Sequence, residues 1–565
     1  MLSLVVLNPL ASSAPSCCWC DKDTPKDATS ITGSDGNAYD LIFSDEFNTP
    51  GRSFANGDDA KWTALNIGDT SNKGAAFYLP EQATIATDSV GGVSALLITT
   101  ENRSHTGDSP TGEKGIFMPY RSAMLQSWNK FCFTGGIVEF SARQPRGGGY
   151  WPALWLFGNL GRAVYQNSNT GLWPWSYSLC DADLVLPPFE PPQRISACDD
   201  HDLETEGLHP FQGRGATELD VLEGAVTNTG EASYVVGSLQ LSPGIPPYFR
   251  PPLFGFPTRE GKGSWYTGLT FGHGGSDQTD GYANNGWYGP PWGTPCPTGC
   301  PDALSGGIVN LNDLDTRYWT YRMEWLTGDK GWLKWYYDDV FVWGMDASSF
   351  GAYSVCSETD TGKTCHRTPP RMIPNEPMSL VMNTAIGTWN GGASALDGKH
   401  WPALFYVDYV RVWQRKEEMN IGCNPPDYPT KKYIENHAEW YGEPAKPSGY
   451  DTCPEIYPAS AHKAAALFAE KAKIERAKRA SGAAKGGLTM ATNLMASSGV
   501  SDATASPPVA SQSATSMLAP LLVLAGVATA AFAAGRHRAV KAASPVPTSE
   551  LEQEYQAYER YGPIN

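Results

Sequence analysis

The chain has 565 residues and a formal net charge of -17, and aromatic residues make up 12% of it and charged residues 18%. The aromatic content excludes a disordered chain, and the low charged fraction excludes a coiled coil over most of the length. The negative charge argues against a nucleic-acid partner, because phosphate binding needs clustered Lys and Arg. The chain is therefore an aromatic-rich protein that favours β-strands, with one large domain plus appendages or several smaller domains.

Residues 1–16 predict a secretory signal peptide. An apolar run from Leu2 to Leu10 precedes a stretch of small residues, as in such signals. No Lys or Arg comes before the apolar run, so a disordered start to the chain is the alternative.

Residues 17–440 carry the pattern of an all-β domain. Short runs of β-branched and aromatic residues alternate with clusters of Gly, Pro, Asn and Asp, for example at 96–100, 136–141, 332–337 and 406–413. In the last run Val410 and Val412 alternate with Tyr409 and Arg411, which is the period of a strand. No strand–helix–strand rhythm and no repeat of fixed period is evident, so the sequence predicts a β-sandwich of jelly-roll type.

Four tryptophans within this body are candidates for substrate binding. Flat aromatic faces stack on sugar rings, and these indoles are interleaved with Gly and Pro, which are common in loops. Packing in the core of the sandwich is the alternative for about half of them. The four are Trp151, Trp155, Trp173 and Trp175.

The residues Glu-Leu-Asp-Val-Leu-Glu at 218–223 carry the candidate chemistry. In a regular strand Glu218 and Asp220 share one face and Glu223 points away. A single β-bulge after Asp220 would bring Glu223 onto the same face, with apolar residues between the acids turned to the core.

Three adjacent carboxylates repel one another, and a purely structural strand gains nothing from that arrangement, whereas a glycosidase does. One carboxylate must be ionised to attack the anomeric carbon, and another must hold a proton for the leaving oxygen. The like charges raise the proton affinity of one member and so supply the acid. We therefore predict Glu218, Asp220 and Glu223 as catalytic residues, with no metal or cofactor; an acidic sheet edge or a calcium-binding loop is the alternative.

The twelve cysteines are predicted to form disulfides. None has the doubled CxxC spacing of a zinc ribbon, and an oxidising compartment is the simpler interpretation. A sequon at Asn102 agrees with that compartment and predicts a glycoprotein. Candidate pairs are Cys180 with Cys198, Cys296 with Cys300, Cys356 with Cys365, and Cys423 with Cys453.

The C-terminal part of the chain predicts a membrane tether. Within 441–516, strong helix formers at 461–480 are followed by a stalk rich in Gly, Ala, Ser, Thr and Pro. A solvated helix fits its charges, and its basic character also suits a membrane surface. Residues 517–535 carry no charge and are long enough to span a bilayer, and Arg536 and nearby basic residues follow at once. The positive-inside rule then puts the tail, 536–565, in the cytosol and the body in the lumen or outside the cell.

Several long motifs in the body resemble those of a known family. They are 43–48 (FSDEFN), 124–136 (MLQSWNKFCFTGG), 151–155 (WPALW), 158–162 (GNLGR), 213–217 (GRGAT), 408–412 (DYVRV) and 421–430 (IGCNPPDYPT). On these residues the chain resembles the β-glucan synthesis-associated proteins, a membrane-bound branch of glycoside hydrolase family 16 known best from fungal cell-wall assembly.

The resemblance implies a curved, concanavalin-like jelly-roll sandwich with a cleft on its concave face. It places Glu218 at the nucleophile, Glu223 at the acid/base, and Asp220 between them, where it would hydrogen-bond the nucleophile. It implies a β-glucan substrate and a part in β-1,6-glucan assembly. Typical fungal members carry their membrane segment before the body, whereas here the predicted span follows it, so an origin outside the fungi is equally compatible.

The leading interpretation is a membrane-anchored, retaining enzyme that acts on β-glucan. It is a hydrolase if the acceptor is water and a transglycosylase if the acceptor is a sugar hydroxyl. A non-catalytic glucan-binding scaffold and a plain endo-β-glucanase are the alternatives. Its expected partners are the β-glucan and the membrane, where the tether could hold it beside a glucan synthase in the secretory pathway or plasma membrane.

Overall fold

Two large β-sheets make up most of the folded body. The computed structural model describes residues 17–71, 74–181, 184, 192–199, 203–225, 233–245, 269–272, 282–283, 301–359, 362–387, 400–442 and 453–494. Within these ranges the β-strands are numbered β1 to β26 in chain order.

The first large sheet has ten strands, with the order β1-β2-β26-β13-β20-β21-β22-β17 and with β7 pairing β26 and β6. Its strands are β1 (Ser30–Thr32), β2 (Ala38–Asp45), β6 (Ala83–Thr87), β7 (Ser94–Thr100), β13 (Gly136–Arg143), β17 (Thr270–Phe271), β20 (Trp319–Leu326), β21 (Trp332–Tyr337), β22 (Val340–Asp346) and β26 (Ala403–Gln414).

The second large sheet has nine strands, with the order β18-β19-β16-β15-β14-β25-β11-β3 and with β12 pairing β25. Its strands are β3 (Thr63–Ala64), β11 (Met124–Gln126), β12 (Cys132–Phe133), β14 (Trp151–Gly158), β15 (Glu218–Ala225), β16 (Ser233–Leu241), β18 (Tyr282–Ala283), β19 (Asp302–Leu311) and β25 (Met378–Ala385). The pairings within both large sheets are antiparallel.

Smaller elements complete the body. Short sheets are formed by β4 (Ile67–Gly68), β5 (Ala76–Tyr78) and β10 (Tyr120–Ser122), by β8 (His105–Gly107) and β9 (Ile116–Met118), and by β23 (Tyr353–Thr359) and β24 (Gly362–Thr368). The α-helices are α1 (Gln166–Asn169), α2 (Lys431–Asn436), α3 (Ala438–Tyr441) and α4 (Ala459–Leu494), and 3₁₀ turns lie at Lys26–Thr29, Pro80–Gln82, Ala347–Phe350 and Lys416–Glu418.

The inner faces of the two large sheets form one hydrophobic core. Val410 and Val412 of β26 point into it, whereas Arg411 lies on the outer face and forms an ion pair with Glu46 at 2.7 Å, so the predicted alternation is confirmed. The structure is an all-β sandwich of antiparallel sheets, as predicted. Apolar burial of this extent is the main force that holds such sheets together.

A second cluster covers part of the outer face of the nine-stranded sheet. It packs Trp155 and Phe157 of β14 against Tyr433 and Tyr441 near the end of the body. Because both faces of β14 are covered, every residue of this strand is buried. That explains why its sequence is a continuous apolar run with no alternation.

The C-terminal segment, residues 420–442, is tied to the body by the motifs noted in the sequence. Asn159 donates to the Thr430 hydroxyl at 3.2 Å, and Arg162 donates to the carbonyl oxygen of Tyr441. The motifs at 158–162 and 421–430 therefore contact each other, although they lie far apart in the sequence.

Five disulfides lie among the described residues. Two of the predicted pairs, Cys180–Cys198 and Cys356–Cys365, are confirmed, and the prediction of Cys423 with Cys453 is wrong. Proximity in sequence does not fix this pairing, because Cys423 lies against β12 and Cys453 lies against the N-terminal residues of the body. The other three bonds are Cys17–Cys20, Cys18–Cys453 and Cys132–Cys423. Cys296 and Cys300 lie outside the described residues.

Helix α4 extends further than its predicted range and enters the predicted stalk. The chain divides into two compact units within this helix, and the first continues to Lys473, past the predicted end of the body at residue 440. In the first unit the Phe468 ring stacks on His209, and Lys471 donates to the Phe211 carbonyl oxygen at 2.8 Å.

The predicted signal peptide (1–16), the stalk beyond Leu494, the membrane span (517–535) and the tail (536–565) lie outside the described residues. Among the helices that the structure does describe, none has the length and apolar character needed to cross a membrane.

We expect the disulfide Cys132–Cys423 to contribute strongly to stability, because it closes a loop with a sequence separation of 291. Cys132→Ala with Cys423→Ala should lower the free energy of unfolding by about 5 kcal/mol, measured by denaturant titration. As a control, Cys356→Ala with Cys365→Ala removes a bond with a sequence separation of 9 in a two-stranded sheet, and should cost about half as much. An equal loss in the free energy of unfolding for the two double variants would contradict this account of the disulfide Cys132–Cys423.

Candidate active site

Strand β15 carries apolar and acidic side chains in alternation with one break. Leu219, Val221 and Leu222 are all buried in the core between the two sheets. On the opposite side of the strand, Asp220 and Glu223 both lie within hydrogen-bonding distance of Ser238, and Asp220 also forms a hydrogen bond with Glu218. The structure therefore brings the three predicted catalytic carboxyl groups together.

A β-bulge at Val221 produces this arrangement, as the spacing predicts. Across β14, Asp220 lies opposite Trp155 and Leu222 lies opposite Leu154, so Val221 has no partner. Without the extra residue, Glu223 would lie on the core side with the leucines.

Two aromatic side chains of β21, in the other large sheet, form hydrogen bonds with the backbone of the bulge. The Trp335 indole N–H donates to the Asp220 carbonyl oxygen at 2.8 Å, and the Tyr337 hydroxyl donates to that of Val221 at 3.1 Å. Trp335 can approach because Gly237 has no side chain, since a Cβ there would collide with the indole. These hydrogen bonds give partners to buried backbone carbonyl groups, which are costly in free energy when they are left unpaired.

Burial dominates the electrostatics of the three carboxyl groups. Their exposed fractions are 1% for Glu218, 1% for Asp220 and 8% for Glu223. Burial, then the charges of Asp220 and Glu223, raise the pKa of Glu218 well above its usual value. Burial, then the charge of Asp220, raise the pKa of Glu223 in the same way. Burial raises the pKa of Asp220 to about 6, although hydrogen bonds from Ser238 and with Glu218 favour its ionised form.

The consequence is a site that cannot hold three negative charges at neutral pH. At least one proton stays on the cluster, which is the condition that a general acid requires.

Each of the two glutamates accepts a hydrogen bond from one tryptophan. The Trp173 indole N–H donates to Glu218 Oε2 at 2.5 Å, and the Trp151 indole N–H donates to Glu223 Oε1 at 2.8 Å. Both tryptophans therefore border the candidate site, and they meet the carboxyl groups with the edge of the ring. An N–H donor favours the ionised form of the glutamate that it contacts.

Trp155 and Trp175, also predicted to bind substrate, are placed in the interior. Each is 1% exposed. Trp155 packs in the second hydrophobic cluster and donates to Asn383 Oδ1 at 2.8 Å, and the carbonyl oxygen of Trp175 lies close against Gly215. Core packing, the alternative stated for these residues, describes both of them, because neither ring has a face open to a sugar.

Two polar residues of β16 belong to the site and are not predicted from the sequence. Ser238 lies directly opposite Asp220, and Gln240 lies opposite Glu218. Both interrupt an otherwise apolar strand, where Leu239 and Leu241 point into the core. Polar residues at alternate positions of a buried strand are the signal that could have identified them.

The start of β15 is fixed by a buried ion pair. Arg214 donates to both carboxylate oxygens of Glu376 at 2.7 Å and to the Pro429 carbonyl oxygen at 2.8 Å. The motif at 213–217 thus joins the catalytic strand to the C-terminal segment. Such a bidentate pair fixes geometry more than it adds stability.

No group of three or more His, Cys, Asp or Glu side chains among the described residues is arranged to hold a metal ion. The carboxyl groups of β15 instead contact hydrogen-bond donors and one another. Their arrangement suits acid–base and nucleophilic chemistry at a sugar.

The family described as "Beta-glucan synthesis-associated protein SKN1/KRE6/Sbg1" matches residues 10–251 and 298–455. The beta-glucan synthesis-associated protein KRE6 of Saccharomyces cerevisiae is 31% identical over 437 residues, which cover 74% of this chain and 52% of that protein. The protein of the same name from Candida albicans is 33% identical over 443 residues, with coverage of 74% and 52%. The chain spans about half the length of the curated relatives it matches.

The chain is also similar to solved structures. SCLam, a non-specific endo-beta-1,3(4)-glucanase from family GH16, is 18% identical with a TM-score of 0.38, and the match covers 68% of this chain and 94% of that one. The laminarinase catalytic domain from Thermotoga maritima MSB8 is 17% identical with a TM-score of 0.35, covering 66% and 98%.

We expect Glu218→Gln to stabilise the protein by about 1–2 kcal/mol at pH 8, because it removes a buried charge from a repelling cluster. The raised pKa values mean that the folded wild type keeps protons that the unfolded chain releases above about pH 4. The stability of the wild type relative to the variant therefore falls as the pH rises from about 4. The stability gained by Glu218→Gln should thus be smaller at pH 5 than at pH 8.

Denaturant unfolding at the two pH values measures this difference. Glu417→Gln, which changes an exposed glutamate, is the matched control and should show no such gain. A Glu218→Gln gain that is the same at both pH values would contradict the electrostatic account.

Proposed function

The chain belongs to the beta-glucan synthesis-associated family of SKN1, KRE6 and Sbg1, and we propose that it is a retaining enzyme that acts on β-glucan. The observation that carries the proposal is the bulged strand β15, which gathers Glu218, Asp220 and Glu223 on one side. A glycosidase needs such a set of acids, and a structural strand would be less stable for having it.

In the proposed reaction Glu218 attacks the anomeric carbon while Glu223 protonates the leaving oxygen. The hydrogen bond from Trp173 favours the ionised form of Glu218 that attack requires, and it opposes the burial and neighbouring charges that raise the pKa of this group. Burial and the neighbouring charge favour a proton on Glu223. Asp220 forms a hydrogen bond with Glu218, which lowers the pKa of Asp220 and raises that of Glu218. In the second step Glu223, now ionised, takes a proton from the acceptor.

Substrate contacts are proposed for the two tryptophans that border the carboxyl groups. Trp173 is half-buried, so part of its ring is accessible beside Glu218. The indole N–H of Trp151 donates to Glu223, and the indole ring packs against the ring of Tyr234. A sugar placed for attack by Glu218 would contact one or both of these indoles.

We expect the main activity to be transfer to another glucan chain, with hydrolysis as a side reaction. The predicted stalk and membrane span would hold donor and acceptor chains near the enzyme, which raises their effective concentration. A positioned sugar hydroxyl then has an advantage over water. Incubation of the purified body with β-1,3-glucan oligosaccharides at high concentration should give longer or β-1,6-branched products, measured by chromatography and linkage analysis.

Three outcomes of that experiment separate the alternatives. Only shorter products would indicate a plain endo-β-glucanase. Unchanged oligosaccharides with retained glucan binding would indicate a scaffold. Glu218→Gln is the matched control, because it should abolish all products while the protein still folds and binds glucan.

We also propose that the body faces the lumen or the cell exterior and that residues 536–565 face the cytosol. The proposal is supported by the uncharged segment at 517–535, by the basic residues after it, and by the disulfides of the body. In sealed microsomes, added protease should remove only the tail. Digestion of the body with the tail protected would contradict this topology.

A further inference from the structure

The hydroxyl of Ser238 lies within hydrogen-bonding distance of two of the three carboxyl groups. It donates to Asp220 Oδ2 across a short contact, and it lies 3.4 Å from Glu223 Oε2. Ser238 is 3% exposed, so bulk water does not compete for these contacts. The bulge creates this position, because Asp220 pairs with Ser238 while Glu223 pairs with Val236, two residues earlier on β16.

A serine hydroxyl has one hydrogen and two lone pairs. Ser238 can therefore donate to Asp220 or to Glu223, but not to both at once. While its hydrogen lies on Asp220, its oxygen can accept from a protonated Glu223 and from Gln240, whose Nε2 lies 3.4 Å away. The arrangement in the structure thus fits the state in which Glu223 holds a proton.

We propose that Ser238 is a positioning residue whose hydroxyl hydrogen turns from Asp220 to Glu223 when Glu223 gives its proton to the leaving oxygen. It turns back when Glu223 regains a proton from the acceptor hydroxyl. Ser238 forms no covalent bond to the sugar and neither gains nor loses a proton. This inference rests on the proposed function, since it assigns Glu223 the part of acid and then base.

The rotation would give both oxygens of the ionised Glu223 a donor. Oε1 already accepts from the Trp151 indole, and Oε2 would accept from Ser238. A buried carboxylate with two donors is far less costly than one with a single donor. Asp220 loses the donation at that moment but keeps its contacts with Gln240 and Glu218.

Few other titratable groups of the described residues face Ser238. Glu218, Asp220 and Glu223 come from β15, whereas Tyr321 and Tyr337 lie in the core, on the other side of the strand. Burial raises the pKa of both tyrosines well above the usual value, so they stay neutral. The cross-strand partner on β19 is Ser305, and β14 and β25 contribute the neutral side chains of Trp151 and Asn383.

The test is a titration of the carboxyl groups of the full protein by pH-induced infrared difference spectroscopy. Glu223→Gln identifies the band of the protonated Glu223. Ser238→Ala should raise the titration midpoint of Glu223 by about one pH unit, because the ionised form loses a hydrogen-bond donor. Ser238→Thr keeps the hydroxyl and should restore the midpoint, whereas Ser305→Ala, on the same face one strand away, should leave it unchanged.

A kinetic readout accompanies the titration. With a donor whose leaving group needs a proton, Ser238→Ala should slow the first step about tenfold, because Glu223 must ionise in that step, whereas a donor with a good leaving group should react at nearly the wild-type rate. An unchanged Glu223 midpoint in Ser238→Ala overturns the inference, as does a loss of stability without any change in the midpoint. A shifted midpoint in a protein that turns over no glucan would instead count against the proposed function.

Discussion

The candidate site depends on the bulge at Val221, which brings Glu223 to the same side of β15 as Glu218 and Asp220. The bulge adds one residue between Asp220 and Leu222, and thereby moves Glu223 from the core side of β15 to the side of Glu218 and Asp220. Trp335 and Tyr337 stabilise this conformation by donating to the carbonyl oxygens of Asp220 and Val221. Core packing therefore affects the candidate site directly, because Trp335 and Tyr337 both fill the core and stabilise the bulge.

A second set of contacts fixes the strand along its length. Arg214 and Glu376 join the residues before β15 to the C-terminal segment, and Cys132–Cys423 joins that segment to the nine-stranded sheet. The segment at 420–442 is therefore part of the frame of the site and not a simple connection to the tether. Four of the motifs that carry the family resemblance, at 124–136, 158–162, 213–217 and 421–430, meet in this region.

The sequence was sufficient to predict the sandwich, the bulge and the three carboxyl groups, because each rests on local patterns: alternation, spacing and residue type. It was not sufficient where the answer depends on distant parts of the chain. Cys423 pairs with Cys132, 291 positions away, although Cys453 is nearer in sequence. Trp155 resembles a sugar-binding residue by its neighbours in the sequence, yet it is buried in the second hydrophobic cluster. Ser238 lies beside the carboxyl groups only because of the register between β15 and β16.

The central claim, that Glu218 is the nucleophile and Glu223 the acid/base, is tested most directly by azide rescue of alanine variants on an activated β-glucosyl donor. In Glu223→Ala the glycosyl-enzyme still forms, so azide should attack it and yield a β-glycosyl azide. In Glu218→Ala azide takes the place of the nucleophile and should yield the α-anomer. The anomer is read by NMR of the isolated product. The same anomer from both variants, or the two anomers exchanged, would contradict the assignment.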